Sequence, residues 1–201
     1  MKNQQTIITF CLVLLCTGVF AQNDMGLPEE KGKFKQQNLF LGTGINLGIT
    51  GTAYNIGLNP EVGYSVTKWL DAGIGLNLTY FSQNATDYNP YRYTSFSYGG
   101  GTFLRIWPVN FLHLQIQPEY NWINATSKDV YSNTTTKTKL DAGSLLVGIG
   151  YGSRVMGRTY SYVTLMVDVL QNYGSPYRDQ FNDPLPVFRA GFGIYLKPKG
   201  Q

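Results

Sequence analysis

Residues 187–196 read VFRAGFGIYL. Taken with a period of two, Phe188, Ala190, Phe192, Ile194 and Leu196 fall on one face, and Val187, Arg189, Gly191, Gly193 and Tyr195 on the other. Side chains alternate across a strand, so the segment predicts a strand with one continuously apolar face and one face holding an arginine and two glycines. In a soluble sandwich that apolar face would be core. The same pattern recurs in seven earlier segments, and the repetition decides the fold.

Working back to the start, 39–49 sets Leu39, Leu41, Thr43, Ile45, Leu47 and Ile49 against Gly42, Gly44, Asn46 and Gly48. Segment 55–65 sets Ile56, Leu58, Pro60, Val62 and Tyr64 against Gly57, Asn59, Glu61, Gly63 and Ser65. Segment 70–81 opposes Leu70, Ala72, Ile74, Leu76, Leu78 and Tyr80 to Asp71, Gly73, Gly75, Asn77 and Thr79. In 94–107, Phe96, Tyr98, Thr102, Leu104 and Ile106 alternate with Ser95, Ser97, Gly99, Gly101, Phe103 and Arg105. The cleanest case is 111–122, with Leu112, Leu114, Ile116, Pro118, Tyr120 and Trp122 against His113, Gln115, Gln117, Glu119 and Asn121. Segment 143–154 places Leu145, Val147, Ile149 and Tyr151 opposite Ser144, Gly148, Gly150, Gly152 and Arg154. Segment 159–170 sets Val163, Leu165, Val167 and Val169 against Thr164, Met166 and Asp168. Its parity weakens at the start, where Tyr160 and Tyr162 fall on the polar face and leave room for a β-bulge.

Two regularities follow. No apolar-face position carries a charge; Glu61, Asp71, Arg105, Glu119, Arg154, Asp168 and Arg189 all lie on the other face. The connections also alternate, with tight turns at 66–68, 108–110 and 155–158 and long polar loops at 82–93, 123–141 and 171–186; only the first connection, 50–54, is short where a loop is due. An even number of strands of about 10 residues, apolar outside and polar inside, with short turns at one end and loops at the other, is what a transmembrane barrel requires. The expected fold is therefore all-β, an eight-stranded antiparallel up-and-down transmembrane β-barrel over 39–196. Tyr64, Tyr80, Tyr98, Trp107, Tyr120, Trp122 and Tyr151 fall near strand ends, where interfacial aromatic girdles belong.

Composition agrees. Charged residues make up only 14% of the 201 residues, while Gly numbers 23 and Tyr 15, a glycine- and aromatic-rich β composition. The net charge of +4 gathers into no basic stripe, which argues against nucleic-acid binding. Residues 1–21 read as a secretory signal: Lys2, an apolar run over 7–15, and Ala21 ahead of the cleavage point. Both cysteines, Cys11 and Cys16, lie within it, and bulky Leu15 before Cys16 disfavours a lipoprotein signal. Residues 22–38 are polar and of mixed charge, a flexible lead-in. After the signal no apolar run reaches the ~18 residues of a membrane helix, so a membrane location demands a closed barrel.

The segments LNPEVGY (58–64), GTFLR (101–105) and RAGFGIYL (189–196) resemble small outer-membrane β-barrel proteins of Gram-negative bacteria, of the OmpA/OmpX-like type. The resemblance covers 39–196. It implies a cell outer-membrane location, a monomer, contact with outer-membrane lipid and lipopolysaccharide, and insertion by the barrel assembly machinery. The lead-in, the three tight turns and the tail 197–201 would face the periplasm, and the long loops would face outward. One departure is the end of the chain: many such proteins close on a terminal aromatic, whereas here five residues follow Leu196.

The inner charges, with His113, form the candidate site: Glu61, Asp71, Arg105, His113, Glu119, Arg154, Asp168 and Arg189. Strand directions suggest two ion pairs, Asp71–Arg105 and Asp168–Arg189. An eight-stranded barrel has an interior just wide enough for side chains to fill, so a packed, internally paired lumen is expected, with a narrow ion pathway as the alternative. Enzyme chemistry is not expected. His113 is the sole histidine, and Glu119 lies about 20 Å along the same strand, too far to orient the imidazole. No cofactor or metal site is indicated, and Gly42, Gly44, Gly48, Gly99, Gly100 and Gly101 match no phosphate-binding motif. The function expected is structural and interactive, with the loops 82–93, 123–141 and 171–186 and their Tyr88, Tyr91, Tyr93, Tyr131, Tyr173 and Tyr177 offered to an external ligand. A secreted lipocalin-like barrel would need the opposite assignment of faces and would crowd the aromatics and leucines into a small interior.

Overall fold

The computed structural model describes residues 34–49, 51–170, 172–177 and 184–196. The expected signal segment, most of the lead-in and the tail 197–201 lie outside the described residues. A short 3-10 turn, Gln36–Asn38, leads directly into the first strand.

Eight strands follow: β1 (Leu39–Ile49), β2 (Ala53–Ser65), β3 (Leu70–Gln83), β4 (Tyr91–Val109), β5 (Leu112–Asp129), β6 (Thr135–Arg154), β7 (Thr159–Asp168) and β8 (Val187–Tyr195). Each pairs antiparallel with the next, and β8 returns to β1 to close the barrel. The closing register runs from Phe40↔Tyr195 to Ile45↔Ala190, and the Leu196 N–H donates to the Leu39 carbonyl at 2.8 Å. Closure leaves no sheet edge along the wall, the general solution to unpaired strand edges.

The alternation sorts side chains as the period-two pattern predicts. Ile74 (61% exposed), Phe188 (57%) and Phe192 (59%) stand on the outer surface, while Arg105 (1%) and His113 (0%) are sealed inside. This is the inverse of a water-soluble protein, in which large apolar groups are interior. Pro60 and Pro118 lie on the outer face of β2 and β5; proline has no N–H to donate, and the ladders of β2 with β3 and of β4 with β5 are interrupted beside them. Gly157, at a φ of 78°, forms the β6–β7 turn, where the Arg158 N–H donates to the Val155 carbonyl at 3.2 Å.

Aromatic side chains gather at both ends of the outer surface. At the loop end Tyr54 lies 6.0 Å from Tyr80, Tyr98 lies 5.8 Å from Trp122, and Tyr120 lies 5.2 Å from Trp122, ring centre to ring centre. At the turn end Phe111 and Tyr151 pair at 6.1 Å, and Trp69 is exposed. From Leu112 to Trp122 the strand rises about 3.4 Å per residue, which at a barrel tilt of about 40° sets the two belts about 25 Å apart. Among the described residues, no charged side chain faces outward between them.

Four departures from the sequence expectation concern strand extent and register. β3 and β4 pair out to Gln83↔Tyr93 and β4 begins at Tyr91, so the expected loop 82–93 shortens to 84–90. The loop 123–141 is mostly strand: β5 and β6 continue as a paired hairpin to Lys128↔Thr135, leaving only 130–134 as the connection. Its Thr- and Ser-rich composition reads as loop because strands beyond the apolar belt need no apolar alternation, whereas threonine suits strands well and the backbone ladder continues. β4 runs through Trp107–Val109, with a register shift between Ile106 and Val109, so the tight turn falls at 110–111 rather than 108–110. The bulge considered for β7 is absent: Arg154↔Tyr160 and Gly152↔Tyr162 continue one regular register, and both tyrosines point inward.

Candidate functional site

The lumen is a stack of side-chain layers. At the turn end Asp71 is the hub. Its carboxylate accepts from the Ser65 hydroxyl (2.7 Å), the Trp107 indole N–H (2.8 Å) and the Arg154 guanidinium (2.5 Å). Arg154 reaches it from β6, across the barrel from β3, and also donates to the Lys68 carbonyl at 2.5 Å. The Tyr195 hydroxyl completes the layer at 2.9 Å from the Ser65 hydroxyl.

The middle layer centres on Glu61 and Arg105. Two parallel bonds join them, Nη1 to Oε1 at 3.0 Å and Nη2 to Oε2 at 2.6 Å, the bidentate geometry that suits a planar guanidinium. Arg105 Nε donates to Gln115 Oε1 at 2.9 Å, and its guanidinium carbon lies 4.6 Å from the Phe103 ring centre and 4.2 Å from that of Tyr162. Glu61 takes two further bonds, from the Tyr160 hydroxyl (2.7 Å) and the Tyr162 hydroxyl (3.1 Å). Both buried charges are thus paired and hydrogen-bonded, the condition under which burial is tolerated. His113 sits beside this layer. Its Nε2 lies 3.0 Å from the Thr164 hydroxyl, and its ring packs 4.5 Å from that of Trp107.

At the loop end Glu119 is the hub. It accepts from Gln117 (3.0 Å), Asn121 (2.7 Å) and Tyr177 (2.5 Å), and pairs with Arg189 at 3.5 Å. Arg189 also donates to the Tyr177 hydroxyl at 3.2 Å, and Asn77 donates to the same oxygen at 2.8 Å. Tyr177 belongs to the β7–β8 connection, so this loop inserts a side chain into the barrel mouth. Asp168 accepts from the Leu145 and Leu170 N–H groups (3.0 Å each) and the Ser175 hydroxyl (2.7 Å), which anchors the same loop.

The two expected ion pairs are corrected. Asp71 and Arg105 are direct cross-strand neighbours in register, yet Arg105 turns to Glu61 on β2 and Asp71 takes Arg154. Arg189 reaches past Asp168 to Glu119 on β5. Long inward side chains meet across a narrow lumen, so adjacency along the wall does not select partners. Tyr177, expected as an outward loop residue, is instead a lumen ligand, whereas Tyr88, Tyr131 and Tyr173 are exposed.

Glycine makes room for these layers. A Cβ on Gly42 would lie 1.9 Å from the Tyr160 hydroxyl, one on Gly193 2.3 Å from the Tyr160 ring, and one on Gly191 2.3 Å from the Tyr162 ring. The tyrosines therefore lie in slots made by glycines on strands β1 and β8. That juxtaposition was the available signal for inward Tyr160 and Tyr162: an aromatic over a neighbouring-strand glycine is a known strand pairing. An inner apolar cluster joins Met166 and Val187, both on the expected inner face, to Leu146, with Tyr177 packed against it; Leu146 escaped sequence reading because it lies within an unbroken apolar run, Leu145–Val147. Among the described residues no group of three His, Cys, Asp or Glu side chains is placed to hold a metal ion.

The chain is thus an up-and-down eight-stranded β-barrel whose interior is filled by layered polar side chains and aromatic rings. No protein-family model matches the chain, and no curated protein matches it. Among solved structures it is similar to Neisserial surface protein A, at 9% identity over 79% of this chain and 96% of that one, with a TM-score of 0.46. It is similar to the N-terminal β-barrel domain of Pseudomonas aeruginosa OprF, at 13% identity over 79% and 97%, TM-score 0.46. It is similar too to Ail, the attachment invasion locus protein of Yersinia pestis, at 8% identity over 78% and 95%, TM-score 0.47. These are likenesses of fold.

Proposed function

We propose that the chain is an integral outer-membrane β-barrel, monomeric and side-chain-filled, with a structural and surface-interaction role rather than a conducting one. The observation that carries the reading is the uncharged apolar band on the outside, about 25 Å between its aromatic belts, the height expected of a barrel in an outer membrane. The lumen supports the second half. Glu61–Arg105, Asp71–Arg154 and Glu119–Arg189 cross the interior at three heights, and Tyr177 closes its mouth. The turns face the periplasm in this reading. The β5–β6 hairpin and the loops bearing Tyr88, Tyr131 and Tyr173 face outward as the interacting surface. Insertion by the barrel assembly machinery and export by a signal segment belong to the same reading, and no catalytic role is proposed.

Fractionation of cells expressing the full chain, with gel mobility compared before and after boiling, tests the location. The expected result is recovery in the outer membrane and a heat-dependent mobility shift. Recovery as a soluble protein in the absence of detergent would refute it. Planar-bilayer recording tests the filled lumen: large, stable open channels in the wild-type protein would favour a pore instead.

A further inference from the structure

The barrel closes between β1 and β8, and among the described residues this is the one seam whose ladder stops while both strands go on. Its pairs keep a single register from Phe40↔Tyr195 to Ile45↔Ala190. Both strands continue for three further residues in that register, 46–48 and 187–189, yet these do not pair with each other. Each strand keeps its other neighbour: β1 pairs with β2 through Ile49↔Tyr54, and β8 pairs with β7 through Met166↔Val187. The two strands therefore part at the loop end of their seam. Pro186 falls opposite Ile49 in the same register, and proline has no N–H with which to continue the ladder.

The Leu196 N–H donates to the Leu39 carbonyl, so the odd-numbered residues of β1 turn their backbone groups toward β8. The hydrogen-bonded pair missing from the ladder is thus Leu47 with Phe188. Both side chains stand exposed on the outer face, below the belt residue Tyr54 of β2, so the parting opens onto the apolar band. Backbone groups without partners are costly in hydrocarbon. On the lumen side, no side-chain hydrogen bond among the described residues joins the two strands there. Asn46 turns away over Gly57 and donates to Asn55 on β2 at 3.3 Å, whereas Arg189 turns to Tyr177 and Glu119. Each of the two side chains keeps one buried atom without a hydrogen-bond partner, Asn46 Oδ1 and Arg189 Nε, and Arg189 as a whole is only 4% exposed. Tyr177 closes the mouth above Arg189, which leaves the parted seam as the approach to these atoms.

The chemistry of the gap selects its occupant. It offers donors and acceptors together: the backbone groups of Leu47 and Phe188, the Arg189 Nε–H and the Asn46 oxygen. The Arg189 charge is already met by Glu119, so a neutral head fits better than an ion. A secondary amide carries one N–H and one C=O, the complement that a strand residue itself contributes. On the outer face just below, Ala190 lies between Phe188 and Phe192 and opposite Ile45, a shallow trough between two larger side chains. We propose that the parted end of the β1–β8 seam binds a single-chain amphiphile with a neutral amide head. Its N–H donates to Asn46 Oδ1, its carbonyl accepts from Arg189 Nε, and its acyl chain lies in the trough over Ala190. The proposal rests on the membrane reading above and gives that barrel a ligand and a site for it.

The test places the full chain in phosphatidylcholine vesicles with N-methyldodecanamide carrying a photoreactive diazirine in its acyl chain, and reads the labelled residues by peptide mass spectrometry. Labelling should concentrate on 45–47 and 188–192, in excess over the β4–β5 seam on the opposite wall. Unlabelled N-methyldodecanamide should compete it away at concentrations at which methyl dodecanoate, whose ester head cannot donate, does not. Asn46→Leu removes the acceptor and should weaken that competition about fivefold, the loss of one hydrogen bond. Leu47→Cys/Phe188→Cys, made in a chain also carrying Cys11→Ser and Cys16→Ser, ties the seam shut on oxidation, which should suppress the labelling, and reduction should restore it in the same folded protein. Labelling spread evenly round the wall would overturn the proposal, as would labelling unchanged by oxidation of the cysteine pair. Equal competition by dodecanoate would overturn it too, by making Arg189 a site for carboxylates. Failure of the wild-type chain to insert into the vesicles would instead strike the membrane reading, and the proposal with it.

Discussion

Removing the Arg105 charge from the lumen should destabilise the barrel severely, and the loss should depend on Glu61. Arg105 makes two charge-assisted bonds to Glu61, at 3.0 and 2.6 Å, and one to Gln115 at 2.9 Å, while lying over the rings of Phe103 and Tyr162. The substitution Arg105→Met keeps an unbranched stem in the same space but leaves Glu61 as a buried carboxylate with only the Tyr160 and Tyr162 hydroxyls. Breaking one side of a buried pair costs about 3–5 kcal/mol, most of it the penalty of the charge left behind. Glu61→Gln strands the guanidinium instead and should cost about as much. Because each single variant carries that penalty and the double variant carries neither, Arg105→Met/Glu61→Gln should be more stable than the sum of the singles implies. For a close charge pair the coupling should reach at least about 1.5 kcal/mol. Urea titration of the protein in phosphatidylcholine vesicles, followed by tryptophan fluorescence and by heat-shifted gel mobility, gives all four stabilities. A coupling energy near zero would refute the account, because it would mean that the two groups are separately solvated in an open channel.

Other expectations follow from the packing. Gly193→Ala should lower stability by about 1–3 kcal/mol, since its Cβ would lie 2.3 Å from a Tyr160 ring tied down by its bond to Glu61. Gly51→Ala, with nothing within 4 Å of the added carbon, should stay within about 0.5 kcal/mol in the same urea titration. Tyr177→Phe removes the hydroxyl shared by Glu119, Asn77 and Arg189, so the β7–β8 connection should become sensitive to protease at low doses that leave the wild-type chain intact. Unchanged cleavage would show that the loop is held without that hydroxyl.

The wall of the barrel was legible in the sequence and its interior connections were not. Strict alternation located every strand, and β1 begins and ends where Leu39–Ile49 places it, because an inside-out barrel requires one apolar and one polar face throughout. Parity assigned most lumen residues to a face; Trp107, expected in the outer aromatic girdle, instead points inward and donates to Asp71. Parity could not assign their partners, since Arg154 meets Asp71 and Arg189 meets Glu119 across the lumen between strands that never pair. Tyr160 and Tyr162 were misleading for a related reason: their hydrocarbon suggests the outer face, whereas their hydroxyls serve Glu61 and their rings fill glycine slots inside. The β5–β6 extension was obscured by its own composition, a Thr- and Lys-rich strand with no apolar face to declare it.

The central claim is that the outer face of this barrel is in contact with lipid, and Ile74 tests it most directly. It is among the most exposed apolar side chains and lies midway along β3, between Leu70 and Tyr80. The decisive measurement is the unfolding free energy of Ile74→Arg in phosphatidylcholine vesicles. A cation at the middle of a bilayer should lower it by about 2–4 kcal/mol. If the arginine proves neutral or stabilising, as on a face bathed in water, the outward surface is not a membrane surface and the account is wrong.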